Sequence, residues 1–224
     1  MADENTAAHS GQRVLLAGAT GLVGRELLKL LLADDDVAQV HTLGRSAPTQ
    51  AHPKLTHHPS DLRRIAALPP LDAALIALGT TIKIAGSQAA FRAIDHDAVL
   101  AVAQAAQLAG AARVGVVSAM GADAQSRLFY NRVKGETEAD LAQLGLPCLV
   151  IARPSLLLGD RSALNQPGRR GESLGAVVSA LLKPLMPANY RAICAEDVAA
   201  ALWRSVKQGV PGRTVLLSGQ MQPH

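Results

Sequence analysis

The amino-acid sequence predicts an α/β fold in which a doubly wound parallel sheet is covered by helices on both faces. Short apolar runs alternate with longer segments of helical periodicity along most of the 224 residues. The first apolar run ends directly in a glycine-rich turn, and the alternation breaks down only after Arg153-Pro154. No stretch resembles a linker between independent domains. We therefore expect one domain over residues 12–220, preceded by a flexible tail at residues 1–11.

The first half of the chain is expected to supply four strands. They are predicted at residues 13–17, 38–43, 55–58 and 72–78, because each is a short, mainly apolar run followed by turn residues. Between the first two strands, residues 25–32 have the periodicity of a helix with one apolar side.

The second half continues the alternation as far as a sixth strand. The predicted elements are an alanine-rich helix (87–109), a strand (113–118), a helix (130–144) and a strand (147–152). Gly110 and Gly145 are placed to end the two helices.

An irregular segment follows at residues 159–190, interrupted by Pro and Gly around an amphipathic stretch at 172–183. Because such segments in doubly wound folds usually lie over the carboxyl edge of the sheet, we expect a small substrate-side insert here. Regular structure is predicted to return at residues 191–194, in a helix over 196–207 and in a strand over 213–217.

Composition narrows the classes of function. Hydrophobic residues make up 49% of the chain and charged residues 18%, which is typical of a globular protein. The net charge of +4 suits an anionic ligand, but with 2% aromatic residues the chain is a poor platform for single-stranded nucleic acid. The pairs Arg63-Arg64 and Arg169-Arg170 are therefore interpreted as solvated surface or as a positive rim around an anionic cofactor.

The cysteines and the apolar runs indicate where in the cell the protein is expected. Cys148 and Cys194 lie in apolar stretches without a CxxC motif. No clustered ligand pattern with Cys or Glu is found at His41, His52, His57, His58 and His96. We therefore expect no disulfide or metal site, and a reducing, cytoplasmic location. No run approaches about 18 apolar residues and the start of the chain is polar, so neither integral membrane contact nor a secretory signal is expected.

The turn Gly18-Ala-Thr-Gly-Leu-Val-Gly24 has the features of a phosphate-binding loop. Gly18 permits a tight bend, Gly21 lets the backbone approach a pyrophosphate, and Gly24 lets the following helix pack closely on the strand. Free N–H groups from Thr20 to Val23 would face the anion at the helix start. The alternative is a glycine-rich turn without a ligand.

The end of the second strand indicates which dinucleotide is preferred. A site for NAD usually carries an acidic residue there, whereas this chain has Gly44-Arg45-Ser46. Arg45 could contact a 2′-phosphate and stack on adenine, which favours NADP over NAD. The alternative is a solvated arginine after a strand.

Tyr130 and Lys134 are four residues apart and therefore share one face of the predicted helix. An unperturbed tyrosine has a pKa of about 10, and a nearby cation lowers it, so the pair suits acid–base catalysis. Ser118, at the end of the fifth strand, would present its hydroxyl to the substrate oxygen. In the alternative, Tyr130 packs in the core and Lys134 is solvated.

Together these motifs resemble the short-chain dehydrogenase/reductase superfamily in its atypical branch. Within that branch the similarity is to the HIV-Tat-interacting oxidoreductase group and its small bacterial relatives. It extends over about residues 12–220 and includes four further stretches. These are Leu78-Gly79-Thr80-Thr81, Val117-Ser118-Ala-Met-Gly121-Ala-Asp123, Val133-Lys134-Gly135-Glu136 and Arg153-Pro154.

The resemblance implies a Rossmann-type sheet that binds NADPH across its carboxyl edge. It implies catalytic roles for Ser118, Tyr130 and Lys134. It also implies cofactor contacts at Gly18, Thr20, Gly21, Leu22, Val23, Gly24, Arg45, Ser46, Leu78, Gly79, Tyr130, Lys134, Leu157 and Arg170. Many relatives hold a proton-relay water with an asparagine in the fourth helix, where this chain has Asp95.

The expected function is an NADPH-dependent oxidoreductase acting on a small carbonyl or alcohol substrate. Because of Asp95, an NADP-binding regulatory or assembly protein with weak or no reductase activity stays open as an alternative. A flavin reductase-like protein, which would not need Tyr130, is a third reading. The small side chains of the alanine-rich helix would also allow close packing against a second subunit or a protein partner.

Overall fold

The computed structural model describes residues 11–158 and 187–223. Its main feature is a sheet of seven strands, all parallel, in the order β3-β2-β1-β4-β5-β6-β9. The strands are β1 (Gln12–Ala17), β2 (Val37–Gly44), β3 (Leu55–Pro59), β4 (Ala73–Ile76), β5 (Arg113–Val117), β6 (Cys148–Arg153) and β9 (Gly212–Leu217). The predicted Rossmann-type α/β fold is confirmed.

Helices cover both faces of this sheet. On one face α1 (Leu22–Ala33) and α6 (Ala195–Gln208) pack with β1 and β6 in one apolar core. On the other face α4 (Ala98–Leu108) and α5 (Phe129–Gln143) complete a second core. The chain therefore leaves β1 and β4 toward opposite faces, which opens a crevice between the carboxyl ends of these two strands.

The predicted alanine-rich helix is not a single α-helix. It consists of α3 (Gln88–Arg92), a π-helical turn (Ala93–Asp97) and α4. The π turn inserts an extra residue and buries both Asp95 and His96. Single π turns inside α-helices occur frequently at functional sites.

Short elements complete the described chain. The helix α2 (Ile82–Ala85) begins at Thr81, whose hydroxyl accepts a hydrogen bond from the Ile84 N–H, and it ends at Gly86. The strands β7 (Leu157–Leu158) and β8 (Ile193–Cys194) pair in parallel as a separate two-stranded sheet. A 3-10 turn (Ala188–Tyr190) and the helix α7 (Ser218–Met221) lie near the end of the chain.

Most of the predicted insert at 159–190, including the stretch at 172–183, lies outside the described residues. No helix among residues 11–158 and 187–223 has the length and apolar character needed to cross a membrane.

Replacing Gly24 by alanine should destabilise the fold by about 1 to 3 kcal/mol, because a Cβ there would lie 1.9 Å from the Gly18 carbonyl oxygen. Urea unfolding would measure the change in the free energy of unfolding. The control is Gly44→Ala, where a Cβ would meet nothing within 4 Å and should change that free energy by less than about 0.5 kcal/mol. Equal stability of the two variants would refute the close approach of α1 to β1.

Candidate active site

A cleft of about 1250 Å³ opens at the carboxyl ends of β1, β2 and β4. Seven of the residues that the sequence predicted to bind a cofactor line this cleft: Gly18, Thr20, Gly21, Arg45, Ser46, Leu78 and Gly79. The fold thus brings together three loops that are far apart in the sequence. Of the other predicted contacts in the turn, Val23 and Gly24 are buried in the core side of α1, and Leu22 lines a second cavity of about 690 Å³.

The glycine turn has the geometry that the sequence predicts, with one correction. Gly18 has a φ of +86°, and a Cβ there would lie 2.5 Å from the Ala77 carbonyl oxygen. The Gly21 N–H is not free, because it donates to the Gly18 carbonyl oxygen at 3.0 Å and closes the turn. Helix α1 begins after Gly21 with no capping side chain and no acidic residue in its first turn. The N–H groups after Gly21 therefore remain the donors for an anion.

Arg45 and Ser46 follow β2 directly and form one wall of the cleft. The segment after β3 adds Asp61, Leu62 and Arg63 to this wall. The Asp61 carboxylate accepts a hydrogen bond from the Arg63 N–H at 3.0 Å, and Leu62 has a φ of +66°. The sequence interpreted Arg63 as surface or rim, and the structure places it in the cleft.

Lys134 reaches the end of the cleft as half of a buried ion pair. Its Nζ lies 2.7 Å from Asp95 Oδ1, and the side chains are 6% and 1% exposed. Asp95 Oδ2 also accepts a hydrogen bond from the Thr80 N–H at 2.9 Å. The pair lies beside Gly79, where an added Cβ would be 3.5 Å from Asp95 Oδ1 and 3.9 Å from Lys134 Nζ. The missing side chain at Gly79 thus leaves room for a ligand to approach Lys134.

Tyr130 lies one helical turn before Lys134 on α5, with its ring centroid 5.4 Å from that of Phe91. Its hydroxyl forms no hydrogen bond with the part of the chain that the structure describes. Burial raises the pKa of Tyr130, the Lys134 charge lowers it, and the Asp95 charge raises it. The predicted lowering of the Tyr130 pKa is therefore wrong for this structure, since burial is the larger effect and Asp95 opposes Lys134.

Ser118 is buried at the end of β5, and its hydroxyl donates a hydrogen bond to Glu138 Oε1 at 2.5 Å. Glu138 in turn accepts from Arg153, with Nε–Oε1 and Nε–Oε2 distances of 3.0 and 3.1 Å. Because the Ser118 hydroxyl donates its proton to Glu138, it can only accept a hydrogen bond from a ligand, through the lone pairs of its oxygen. The sequence pattern did not point to Glu138, although it lies four residues after Lys134 and therefore on the same side of α5.

Gly135 allows α5, which carries Tyr130, Lys134 and Glu138, to pack closely against the loop after β5. A Cβ at Gly135 would lie 2.1 Å from the Ala124 nitrogen, so only glycine lets the helix press against the loop after β5. The Asp123 N–H also donates to the Asn131 carbonyl oxygen at 3.0 Å. The loop and the first turn of α5 are thus held together.

The remaining predicted residues lie elsewhere. Ser118, Tyr130 and Lys134 are not among the described lining residues of the cleft; Lys134 lies just beyond its Gly79 wall. Leu157 packs against an apolar core, while its neighbour Leu158 lines the second cavity. Arg170 lies outside the described residues, so its role stays a prediction.

The residues present fit a dinucleotide. The described wall of the cleft carries three arginines (Arg25, Arg45 and Arg63) and two aspartates (Asp61 and Asp97). An uncapped helix start faces a turn in which Gly18 and Gly24 leave no space for side chains. Both features favour a phosphate-bearing ligand. No cluster of three or more metal-ligating side chains occurs among residues 11–158 and 187–223.

Comparisons with known proteins agree with this geometry. A family model described as NAD(P)H-binding matches residues 18–208. The protein of Emericella nidulans named "Protein fmp52, mitochondrial" is 37% identical over 158 residues, covering 66% of this chain and 68% of the relative. The FMP52 protein of Candida albicans is 34% identical over 184 residues, covering 76% and 80%. Neither name states an activity.

Solved structures agree at the level of the fold. An oxidoreductase of the short-chain dehydrogenase/reductase family from Burkholderia thailandensis superposes with a TM-score of 0.67 at 19% identity. The superposition covers 95% of this chain and 93% of that one.

The same comparisons correct the predicted location. The sequence led us to expect a cytoplasmic protein, whereas the relatives from Emericella nidulans and Candida albicans are both named mitochondrial. The cytoplasmic prediction rested on cysteine usage and on the absence of a secretory pattern, neither of which separates the cytoplasm from a mitochondrial compartment.

Proposed function

The chain belongs to the NAD(P)H-binding family, and from this premise we propose that it is an NADPH-dependent oxidoreductase of the atypical short-chain dehydrogenase/reductase type. Its substrate would be a small carbonyl or alcohol compound. The observation that carries the proposal is the position of Lys134 beside Gly79, at the end of a cleft suited to a dinucleotide. Tyr130 then lies one helical turn from the place where a ligand would meet Lys134.

The preference for NADPH over NADH rests on the wall formed after β2 and β3. Arg45, Ser46 and Arg63 line this wall. Guanidinium groups and a hydroxyl suit a 2′-phosphate, which is the group that distinguishes the two cofactors. Gly44 ends β2 and Arg45 follows it, at the place where an acidic residue would favour the free ribose hydroxyls of NAD.

The roles of the side chains follow from their positions. The reduced nicotinamide would supply the hydride for a carbonyl carbon. Tyr130 would give its phenolic proton to the substrate oxygen, and the Lys134 ammonium, which has three N–H donors, could bind a ribose hydroxyl while it keeps Asp95. Ser118 would orient the substrate through an oxygen whose direction Glu138 fixes.

Cofactor binding tests this function directly. We expect NADPH to bind more tightly than NADH, and Arg45→Ala to weaken NADPH binding by about 10- to 100-fold with little effect on NADH, because a charge-assisted contact to the 2′-phosphate is lost. Fluorescence titration of both cofactors would give the dissociation constants.

The matched control for this experiment is Arg204→Ala. Arg204 is exposed on α6 and does not line the cleft, so its replacement should leave both dissociation constants unchanged. Equal affinity of the wild-type protein for NADPH and NADH would contradict the assignment of this wall to the 2′-phosphate. A protein that binds neither cofactor would contradict the proposed function itself.

A further inference from the structure

Two histidines that have no part in the proposed reaction meet between two strands at one edge of the sheet. His41 on β2 and His58 on β3 are 17 positions apart in the sequence, and the distance between His41 Nδ1 and His58 Nε2 is 3.1 Å. His41 is 6% exposed, and its Nε2 is buried without a hydrogen-bond partner among the described residues. We call these two side chains the histidine pair. Neither of them is among the described lining residues of the cleft.

The histidine pair joins the edge strand β3 to its neighbour. Among the described strands β3 pairs with β2 alone, so a side-chain contact to β2 contributes a large share of what holds β3 in place. From this strand the chain enters the wall of the cleft. The Ser60 N–H donates to the Gly44 carbonyl oxygen at 3.0 Å, and residues 61–63 line the cleft. The position of this part of the wall therefore depends on β3.

The contact accommodates one proton between the two facing nitrogens. In the neutral pair one ring donates its N–H, and the other accepts it through a lone pair. When both rings are protonated every ring nitrogen carries a hydrogen, so two N–H groups would face each other at 3.1 Å. The His41 Nε2–H would also be buried without a described acceptor. The second proton therefore binds much more readily when the two strands have separated.

The surroundings of the histidine pair also oppose a positive charge. Burial lowers the pKa of His41, and the charges of His58 and Arg13 lower it further. Burial lowers the pKa of His58, and the charge of His57 adds to this effect. Arg13, on the neighbouring strand β1, is bonded to Asp72. Neither ring of the pair forms an ion pair with a residue in the ranges 11–158 and 187–223, so no described carboxylate offsets the charge.

We propose that the histidine pair is an acid-sensitive contact that holds β3 on the sheet, and with it the wall of the cleft at residues 61–63. As the pH falls below about 6.5, the usual pKa of histidine, the separated strand binds one proton more than the paired strand, so opening becomes more favourable. At pH 5 the proton concentration is about 30 times the value that half protonates an unperturbed histidine, which favours opening by roughly 30-fold. The contact does not rest on the proposed function; its consequence for the cofactor does.

Hydrogen exchange of the backbone amides measures this opening in the protein without cofactor. Protection factors, which are corrected for the pH dependence of exchange in an unstructured chain, are compared at pH 8 and pH 5. The matched control within the molecule is β9, because it is the opposite edge of the sheet and contains no histidine. We expect the protection factor of β3 to fall by roughly 30-fold from pH 8 to pH 5, and that of β9 to stay within about threefold.

Substitution of His41 with phenylalanine tests the pair itself. The phenyl ring is similar in size, and the buried Nε2 that it replaces has no described partner. In His41→Phe the His58 ring can bind a proton without a second N–H facing it. The protection factor of β3 should therefore change by less than about threefold between pH 8 and pH 5.

Two further variants complete the test. If His41→Phe fails to fold, His58→Gln replaces it, because the glutamine oxygen can accept a hydrogen bond from a protonated His41. The fall in β3 protection should then be less than about tenfold. The control is His52→Asn, which removes a histidine just before β3 and keeps an acceptor for the Lys54 N–H. It should show the full fall of the wild-type protein.

Two results would overturn the inference. One is an equal fall of protection in β3 and β9, and the other is a full fall of β3 protection in His41→Phe. A second arm tests the link to the proposed function: NADPH at about 100 times its dissociation constant should raise β3 protection roughly 100-fold if binding requires the wall. An unchanged β3 protection with NADPH, beside the expected dependence on pH, would refute the role of the wall in cofactor binding and retain the histidine pair.

Discussion

Replacing Tyr130 with phenylalanine is expected to lower the kcat for carbonyl reduction by about 10²- to 10⁴-fold, the usual contribution of a positioned proton donor. The substitution removes one hydroxyl and keeps the ring that packs 5.4 Å from Phe91. That hydroxyl makes no hydrogen bond with the described residues, so the fold should be unaffected. We expect the dissociation constant for NADPH to stay within about threefold of the wild-type value, because Tyr130 does not line the cleft.

The experiment compares NADPH oxidation by the wild-type protein and Tyr130→Phe over a panel of small aldehydes and ketones. Tyr190→Phe is the matched control, since it makes the same substitution at an exposed tyrosine. Equal turnover by Tyr130→Phe and the wild type would contradict the role of Tyr130. If that activity is diaphorase activity, it would favour a flavin reductase-like protein. NADPH binding without turnover of any carbonyl would favour the regulatory alternative.

Much of the fold could be predicted because its signals are local. Each strand is a short apolar run, and each major helix shows one apolar side, so their centres could be placed without knowledge of the tertiary structure. The glycine turn was equally accessible, because a Cβ at Gly24 would meet the backbone of Gly18 earlier in the same turn. The ends of elements were less certain: the predicted strand at 72–78 is observed only over Ala73–Ile76.

The rest of the site depends on contacts between distant residues. Lys134 meets Asp95 across 39 positions of the sequence, and the π turn that buries Asp95 has no local signature in an alanine-rich segment. The pair Tyr130 and Lys134 could be predicted from their spacing, but the balance of charges around them could not. The predicted direction of the Tyr130 pKa was wrong because it considered Lys134 alone, whereas burial raises the pKa and Asp95 adds to the rise.

The largest effect on stability is expected at Arg153. The Arg153 guanidinium forms an ion pair with the Glu138 carboxylate, and the Glu138 side chain is 4% exposed. Arg153→Met would leave this carboxylate buried, and the Ser118 hydroxyl would be its remaining described hydrogen-bond partner. Removal of one member of a buried ion pair typically costs about 3 to 5 kcal/mol, so we expect a loss of this size in the free energy of unfolding at pH 8. Urea unfolding measures it.

Two comparisons separate this effect from a general loss of packing. The double variant Glu138→Leu with Arg153→Met removes both charges, and it should recover most of the lost stability because an apolar pair of similar volume replaces them. The pair Arg13–Asp72 is the exposed counterpart, with side chains 39% and 36% accessible, so Arg13→Met should cost less than about 1 kcal/mol. If Arg153→Met lowered the free energy of unfolding as little as Arg13→Met, the buried Glu138 carboxylate would not depend on Arg153 for its stabilisation. The network that directs the Ser118 hydroxyl would then have to depend on another group.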